Sequence, residues 1–353
     1  MKKILVTGGA GFIGSHTCLV LLQKGYEIFV IDSFINSSRE SLKNVLKIID
    51  EDKNSSFSKK LHVFEGDIRN RELLDDIFNK SRSDGHGNGI KGVIHFAGLK
   101  AVEESVNNPF LYWKSNIFGS VNLFDVMHKN NCHTLVFSSS ASIYGKNLKE
   151  KIDENSLINP INPYGTTKMV IERLLEDLQR SFDLSWRIAN LRYFNPIGAH
   201  QSGLIGENPV GIPNNIFPYI TKVALGTLKE VRIFGDDWPT IDGTGVRDYI
   251  HVMDLAEGHI KALEFLFENK PNIINMNLGT GKGSSVLELI NTFQNVNNVK
   301  IPYVFNSRRS GDVASLVANN SLAKKLLKWE PNRSLSQMCK DGWKWQFKNP
   351  EGY

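Results

Sequence analysis

Short apolar runs recur through the first half of the chain at 4–6, 27–31, 62–65, 92–96 and 134–138, the last followed by Ser139 and Ser140. Between them lie longer stretches in which apolar residues return at helical spacing. In residues 14–24, with the adjacent Ile13, the residues Cys18, Val20, Leu21 and Leu22 fall on one side, as a crossover helix lying on a sheet requires. Strand-length runs alternating with amphipathic helices predict an α/β fold, a doubly wound parallel sheet covered on both faces.

After Tyr193 the rhythm breaks. Segments rich in Gly, Pro and Asn, at 195–215 and 235–245, are interleaved with short strands and helices. The pattern predicts that residues 1–193 form the parallel-sheet domain. Residues 194–353 mainly form a smaller C-terminal α+β substrate lobe, with some chain returning to the core of the sheet. Two polar stretches, 50–60 and 81–91, read as surface excursions. The chain shows no internal repeat, low-complexity tract or coiled-coil heptad.

Composition narrows the function classes. The 42 basic and 37 acidic residues are scattered, so the net charge of +5 forms no tail or stripe of the kind that binds nucleic acid. Cys18, Cys132 and Cys339 lie far apart, form no CxxC pair or metal set, and fit buried thiols in a reducing compartment. No metal is expected. The first apolar run is too short for a signal peptide, and no segment approaches the roughly 20 apolar residues that span a bilayer, so a soluble, cytoplasmic protein is expected.

The first run leads into Thr7-Gly8-Gly9-Ala10-Gly11-Phe12-Ile13-Gly14, a glycine-rich turn between a strand and a helix. Gly8 and Gly9 can take backbone angles that other residues avoid, Gly11 lets the main chain approach a phosphate, and Gly14 lets helix pack on strand. The helix N-terminus then faces the anion. The second run ends in Asp32, about 20 residues past the glycines, where a carboxylate accepts from adenosine ribose hydroxyls and repels a 2′-phosphate. That context predicts a Rossmann domain binding NAD rather than NADP; otherwise, Asp32 simply caps a loop.

Tyr164-Gly165-Thr166-Thr167-Lys168 opens a helical stretch behind Pro163. Tyr164 and Lys168, four residues apart, share a face. A phenol titrates near pH 10 and is a poor base at neutral pH, but a neighbouring ammonium and a nicotinamide cation favour the phenolate. Tyr164 is therefore the candidate proton acceptor, and Ser140, beyond the fifth strand, the hydroxyl that bonds the reacting oxygen. Alone, a Tyr and a Lys at this spacing are an ordinary surface pair; behind the glycine turn and a serine-ended strand they read as catalytic.

On these motifs the chain resembles the extended short-chain dehydrogenases, and within them it is similar to the UDP-glucose 4-epimerase family. The more specific matches run from His95 to Val102, from Leu191 to His200, from Gly211 to Asn215 and from Asp242 to Asp254. The resemblance implies NAD contacts at Gly8, Gly11, Phe12, Ile13, Asp32, Asn36, Asp67 and Ile68. It adds Phe96, Ala97, Lys100, Tyr164, Lys168 and Tyr193. Asp67 also has its own rationale, since it follows the third strand, where a carboxylate can accept from the adenine amino group. The same resemblance assigns the UDP-sugar to Ser140, Phe194, Asn195, Asn214, Ile216, Arg232, Phe234, Arg247, Tyr249, Arg309, Asp312 and Leu316. Forked arginine donors suit a diphosphate, and Asp312 can accept from a hydroxyl.

The implied reaction interconverts UDP-glucose and UDP-galactose. Tyr164 takes the 4-hydroxyl proton as the carbinol is transiently oxidised with bound NAD, and the 4-ketose swings about its diphosphate link before reduction on its other face. A 4,6-dehydratase is the nearest rival, but similar dehydratases carry Thr-Asp-Glu where this chain has Ser140-Ala141-Ser142, and elimination needs that acid. A net oxidoreductase would accumulate NADH, and a silent NAD-sensing module would usually lose the tyrosine or lysine. Leu316, four after Asp312, occupies the position that gates the sugar pocket in similar enzymes. Tyrosine there goes with strict UDP-glucose and UDP-galactose scope and smaller residues with N-acetylated sugars; leucine is intermediate, so UDP-N-acetylglucosamine is an expected additional substrate. Resemblance also implies a homodimer through 110–127 and 169–178, stretches apolar enough to be ordinary core instead.

Overall fold

The computed structural model describes residues 2–51, 58–82, 89–146, 150–181, 186–309 and 312–353. The central parts of both polar excursions, at 52–57 and 83–88, and Ser310 and Gly311 of the Arg309–Asp312 segment lie outside the described residues.

Strands β1 (Lys3–Thr7), β2 (Glu27–Asp32), β3 (Leu61–Glu65), β4 (Gly92–His95), β5 (Thr134–Ser140) and β6 (Arg187–Tyr193) alternate with helices. The main ones are α1 (Phe12–Gln23), α2 (Arg39–Glu51), α3 (Arg71–Lys80), the short α4 (Val102–Asn107) and α5 (Pro109–Tyr112), α6 (Gly119–Lys129) and α7 (Pro163–Arg180). In the second half come β7 (Asn195–Ile197), α8 (Ile216–Ala224), β8 (Val231–Phe234), β9 (Val246–Arg247), β10 (Tyr249–His251), α9 (Val252–Glu268) and β11 (Asn272–Leu278). β12 (Ser284–Ser285), α10 (Val286–Asn297), β13 (Tyr303–Asn306), β14 (Ser315–Leu316), α11 (Ser321–Leu327) and α12 (Leu335–Lys348) complete the chain.

Seven strands form one parallel sheet in the order β3-β2-β1-β4-β5-β6-β11. Alternation along β1 shows why both faces are covered. Ile4 and Val6 pack into the core that holds α1, α2 and α9, whereas Leu5 packs into the opposite core with α3, α6 and α7. The order reverses between β1 and β4, so a crevice opens beyond the carboxyl ends of those two strands, the usual ligand position in an open α/β sheet.

The structure differs from the sequence reading in two instructive places. Helix α1 is buried from Gly14 through Leu22 on every side, not along one stripe, because α9 from the second half packs across it. Strand β5 continues through Ser138 and Ser139 to Ser140, which pairs with Tyr193 of β6. Serine hydroxyls therefore stand on the sheet itself.

Beyond the sheet, β7 pairs with β10, β8 with β13, and β9 with both β12 and β14. Phe217, Ile220, Leu289, Phe293, Ile301 and Met338 give this region its own core. Cys18, Cys132 and Cys339 are buried free thiols, and burial pushes Cys132 and Cys339 up to about 12, which leaves them unreactive. Among the described residues no helix is long and apolar enough to cross a membrane, and no group of His, Cys, Asp or Glu is placed to hold a metal ion.

Candidate active site

The glycine turn sits at the mouth of the crevice. Gly8 has φ +69°, and a Cβ there would lie 2.7 Å from the Ala97 nitrogen; one on Gly14 would lie 2.2 Å from the Gly8 carbonyl oxygen. Glycine is thus enforced at both positions by backbone, not by ligand. Gly11 is different: its nearest such contact is Gly8 O at 3.4 Å, so the space above it is open. Gly11 is also the N-cap of α1 and offers no side-chain cap, unlike Asn70, Asn162, Ser285 and Ser334 before α3, α7, α10 and α12. An uncapped first turn beside an open glycine fits the pyrophosphate of a dinucleotide. Phe12 and Ile13 border it, half-buried.

Asp32 lies at the end of β2 with Oδ2 accepting from Ala10 N at 2.9 Å and Oδ1 from Phe34 N at 3.0 Å and Ser37 Oγ at 2.7 Å. Its carboxylate therefore braces the glycine turn and the following loop, and retains acceptor capacity for one further donor. Asn36 is exposed in that loop. Asp67, past β3, holds Arg69 through both oxygens, and this hydrogen-bonded guanidinium pulls its carboxyl below the usual range. Ile68 is buried against Gly119. Across the crevice, Phe96 and Ala97 follow β4, their backbone nitrogens donating to the Thr7 carbonyl.

The three chemical candidates converge at the ends of β5 and β6. Asn162 caps α7 by accepting from Gly165 N at 2.8 Å, and Pro163 supplies the first helical residue, which sets Tyr164 in the first turn. Gly165 lies so close to the turn after β5 that a Cβ would meet Ser142 O at 2.8 Å. That approach brings the Tyr164 hydroxyl beside Ser140, which favours its phenolate. Burial pushes the phenol above its ordinary range, opposed by Ser140 and by the charge of Lys100.

Lys168 is held by the sheet as well as by its helix. Its Nζ donates to Ser138 O at 2.7 Å and lies 4.9 Å from the Phe137 ring and 5.9 Å from the Tyr164 ring centroid. Burial brings it down to about 8, with the Glu172 charge opposing. The Lys100 charge also favours the Tyr164 phenolate, and its Nζ pairs with Glu207 at 3.0 Å. Lys100 is aimed by Asn116, which accepts from Leu99 N at 2.8 Å while donating to Leu99 O and Thr167 Oγ1. Asn116, Gly165 and Glu207 carried no signal in the sequence reading. Tyr193, at the end of β6, shares its hydroxyl with His259 of α9, whose ring also packs on Phe96 at 4.8 Å between centroids.

The second half supplies a cationic surface. Arg247 Nη2 donates to Asp312 Oδ1 at 2.9 Å, with Nη1 on the carbonyls of Val246 and Val313. The Arg309 guanidinium stacks 3.7 Å over the Phe234 ring, and Arg232 is exposed on the same strand, β8. Leu316, opposite Arg247 in the β14–β9 pair, packs against a cluster that holds Ala141, Ile143, Tyr144 and Phe194. Tyr249 is buried with its hydroxyl unpartnered among the described residues, Asn195 begins β7, Asn214 is exposed, and Ile216 starts α8.

Comparison with known proteins gives the family. A family profile described as GDP-mannose 4,6 dehydratase matches residues 5–342. A Bacillus subtilis (strain 168) protein named UDP-glucose 4-epimerase is 49% identical over 350 residues, 99% of this chain and 98% of the relative. The chain belongs to the UDP-glucose 4-epimerase family. A pea (Pisum sativum) member named bifunctional UDP-glucose 4-epimerase and UDP-xylose 4-epimerase 1 is 47% identical over 354 residues, 100% of this chain and 97% of the relative. The crystal structure of the Bifidobacterium longum epimerase, described in complex with NAD+ and UDP, superposes with a TM-score of 0.91 at 44% identity and covers both chains fully. The Rossmann-type sheet of this chain is thus the epimerase family's own.

Proposed function

We propose that this protein interconverts UDP-glucose and UDP-galactose by transient oxidation at C4 of the sugar, with NAD held at the glycine turn and UDP by the second lobe. The observation that carries the reading is Tyr164 in the first turn of α7, beside Ser140 and with the Lys168 ammonium 5.9 Å from its ring centroid, and no acid at the two positions after Ser140. Ala141 is buried, and the Ser142 hydroxyl bonds Ser140 at 3.1 Å, so nothing there expels a 6-hydroxyl as a dehydratase must.

Gly8, Gly11, Phe12, Ile13, Gly14, Asp32, Asn36, Asp67, Ile68, Phe96, Ala97, Lys100, Lys168 and Tyr193 would hold NAD, which supplies reversible hydride acceptance. Tyr164 accepts the 4-hydroxyl proton and later returns it, while Ser140 bonds the same oxygen. Lys100 and Lys168 bias the phenol towards its anion. Arg232, Arg247 and Arg309 hold the diphosphate, with Phe234, Asn195, Asn214, Ile216, Tyr249 and Asp312 on the uridine side. Binding concentrated on UDP leaves the hexose free to turn over between the two half-reactions.

Leu316, packed against the cluster that holds Phe194, favours a second, wider scope that includes N-acetylated UDP-hexoses. Phe110, Phe118, Val106 and Val121 are exposed on neighbouring turns, 78%, 62%, 59% and 45% respectively, and we read this face as the contact of a homodimer. Three buried thiols suit a reducing compartment, and we place the enzyme in the cytoplasm.

The test is anaerobic incubation of the NAD-loaded protein with UDP-galactose, followed by product analysis and cofactor absorbance. UDP-glucose without net NADH is expected. Tyr164→Phe should lose orders of magnitude in turnover while still binding UDP. A wild-type protein that leaves both isomers unchanged rejects the reading.

A further inference from the structure

One turn beyond Lys168 on the same face of α7 lies Glu172, 3% exposed, in an ion pair with the equally buried Arg192 of β6. Arg192 Nε and Nη2 donate to the two carboxylate oxygens at 3.0 and 2.7 Å, and Nη1 donates to Tyr144 Oη at 2.9 Å and to the Glu154 carbonyl at 3.1 Å. The Ser139 hydroxyl donates to Glu172, and Tyr144 donates to Asn277 of β11 at 2.7 Å. Adjacent residues of β5 thus hold successive turns of α7, Ser138 through Lys168 and Ser139 through Glu172.

A pair that served packing alone could be replaced by apolar side chains without loss, since desolvating two charges offsets their attraction. What apolar residues cannot reproduce is the fixed carboxylate beside a buried ammonium. We propose that Glu172, clamped by Arg192 and Ser139, is a positioning residue for Lys168. It docks α7 on the strand ends and keeps an anion at the lysine, so that the lysine remains charged while it serves the site.

Other groups around Lys168 do not supply that anion. On α7 the neighbour is the Tyr164 phenol. β4 contributes His95, kept neutral by burial and by the Lys168 charge itself, and β5 a carbonyl. β6 contributes Arg192 and Tyr193, and the turn after β5 contributes Tyr144, already bonded to Arg192. On α4 and α5, Glu104 and Tyr112 bond each other at 2.8 Å. Across the site, Lys100 adds a second cation whose own carboxylate is Glu207.

The inference rests on the epimerase reading only in placing Lys168 at the reacting centre. Full-length NAD-loaded protein, Glu172→Gln and the charge-free double variant Glu172→Leu/Arg192→Met are compared by two readouts. One is the 15N titration of the Lys168 side chain, assigned with Lys168→Met; the other is the pH–rate profile with UDP-galactose. Glu172→Gln should lower the lysine midpoint by about one unit and move the alkaline limb of the rate with it, a roughly tenfold relative loss near pH 9, and the double variant, which also loses the Arg192 cation, should move both the same way by less. KM for the UDP-sugar should hold. A folded double variant with the wild-type midpoint and limb overturns the inference and shows that the pair only packs. Absence of interconversion by wild type, with the midpoint still displaced in the variants, instead overturns the epimerase reading.

Discussion

The Lys100 ammonium lies 3.0 Å from a carboxylate oxygen of Glu207, 107 positions further along the chain, and the same ammonium opposes the burial of the Tyr164 phenol. Lys100 therefore stands between an anion that neutralises it and a phenol that gains from its charge. Lys100→Met should raise the Tyr164 phenol further, move the acid limb of the rate to higher pH and lower turnover at pH 7 about tenfold or more. Glu207→Gln frees the ammonium of its counter-ion and should move the limb the other way. Because Lys100 is exposed, salt should shrink both displacements. Displacement in the same direction in both variants would point to general damage and sink the electrostatic account.

The Cβ missing from Gly14 sets a second expectation. At 2.2 Å from Gly8 O and 2.8 Å from Gly9 Cα it would push the helix start off the turn that supports it. Gly14→Ala should cost about 1–3 kcal/mol of stability, as overpacking does, and release NAD during gel filtration. Gly11→Ala meets nothing closer than 3.4 Å and should keep its melting temperature while losing cofactor. Equal losses of stability in the two variants would contradict this division between a packing glycine and a ligand glycine.

These two glycines also show what a sequence conveys. A turn between a strand and a helix is local, so its glycines, the parallel strands through β5 and the Tyr164–Lys168 face of α7 were legible from spacing alone. Partnerships across the fold were not. Glu207 becomes a partner of Lys100, and Arg192 of Glu172, only when the chain closes, and no spacing in the sequence joins either pair. The order Asn-Ile-Ile-Asn-Met-Asn-Leu hides β11, whose Asn275 and Asn277 are satisfied by Asn190 and by Tyr144 and Ile152 after it joins β6. The cation nearest in sequence to Tyr164 also bonds a backbone carbonyl, and a second cation, Lys100, comes from the loop after β4.

Three buried histidines outside the proton chemistry make stability depend on pH. Burial holds His16 and His95 down at about 3 and His259 at about 4, against 6.5 for the exposed group. They stay neutral in the folded chain and charge when it unfolds, so below 6.5 the unfolded chain binds more protons. Their contribution is complete above pH 6.5 and is lost progressively as pH falls towards those folded values, by up to about 1.4 kcal/mol per pH unit for each histidine. Melting temperatures between pH 7.5 and 4.5 should fall accordingly. His16, whose Nε2 has no partner among the described residues, offers the cleanest control. His16→Leu should flatten the slope, and an unchanged slope would remove His16 from this account.

Substrate breadth turns on Leu316. Its side chain packs against the cluster that holds Ala141, Ile143 and Phe194, and its strand pairs it with Arg247. A leucine is shorter than a tyrosine and carries no hydroxyl, so on the proposed reading it would leave more room for an acetamido group on the sugar. The wild-type protein should turn over UDP-N-acetylglucosamine as well as UDP-glucose. Leu316→Tyr should lower kcat/KM for the acetylated substrate at least tenfold relative to the plain one, within the roughly 10–200-fold range that one misfit group in an apolar pocket produces. Activity on UDP-galactose should persist, because the added ring fills space that the unsubstituted hexose does not use. Competition assays with both substrates in one vessel measure that ratio directly. Complete inactivity of the wild type on the acetylated sugar, or a tyrosine variant with an unaltered ratio, would show that another wall of the pocket sets the limit.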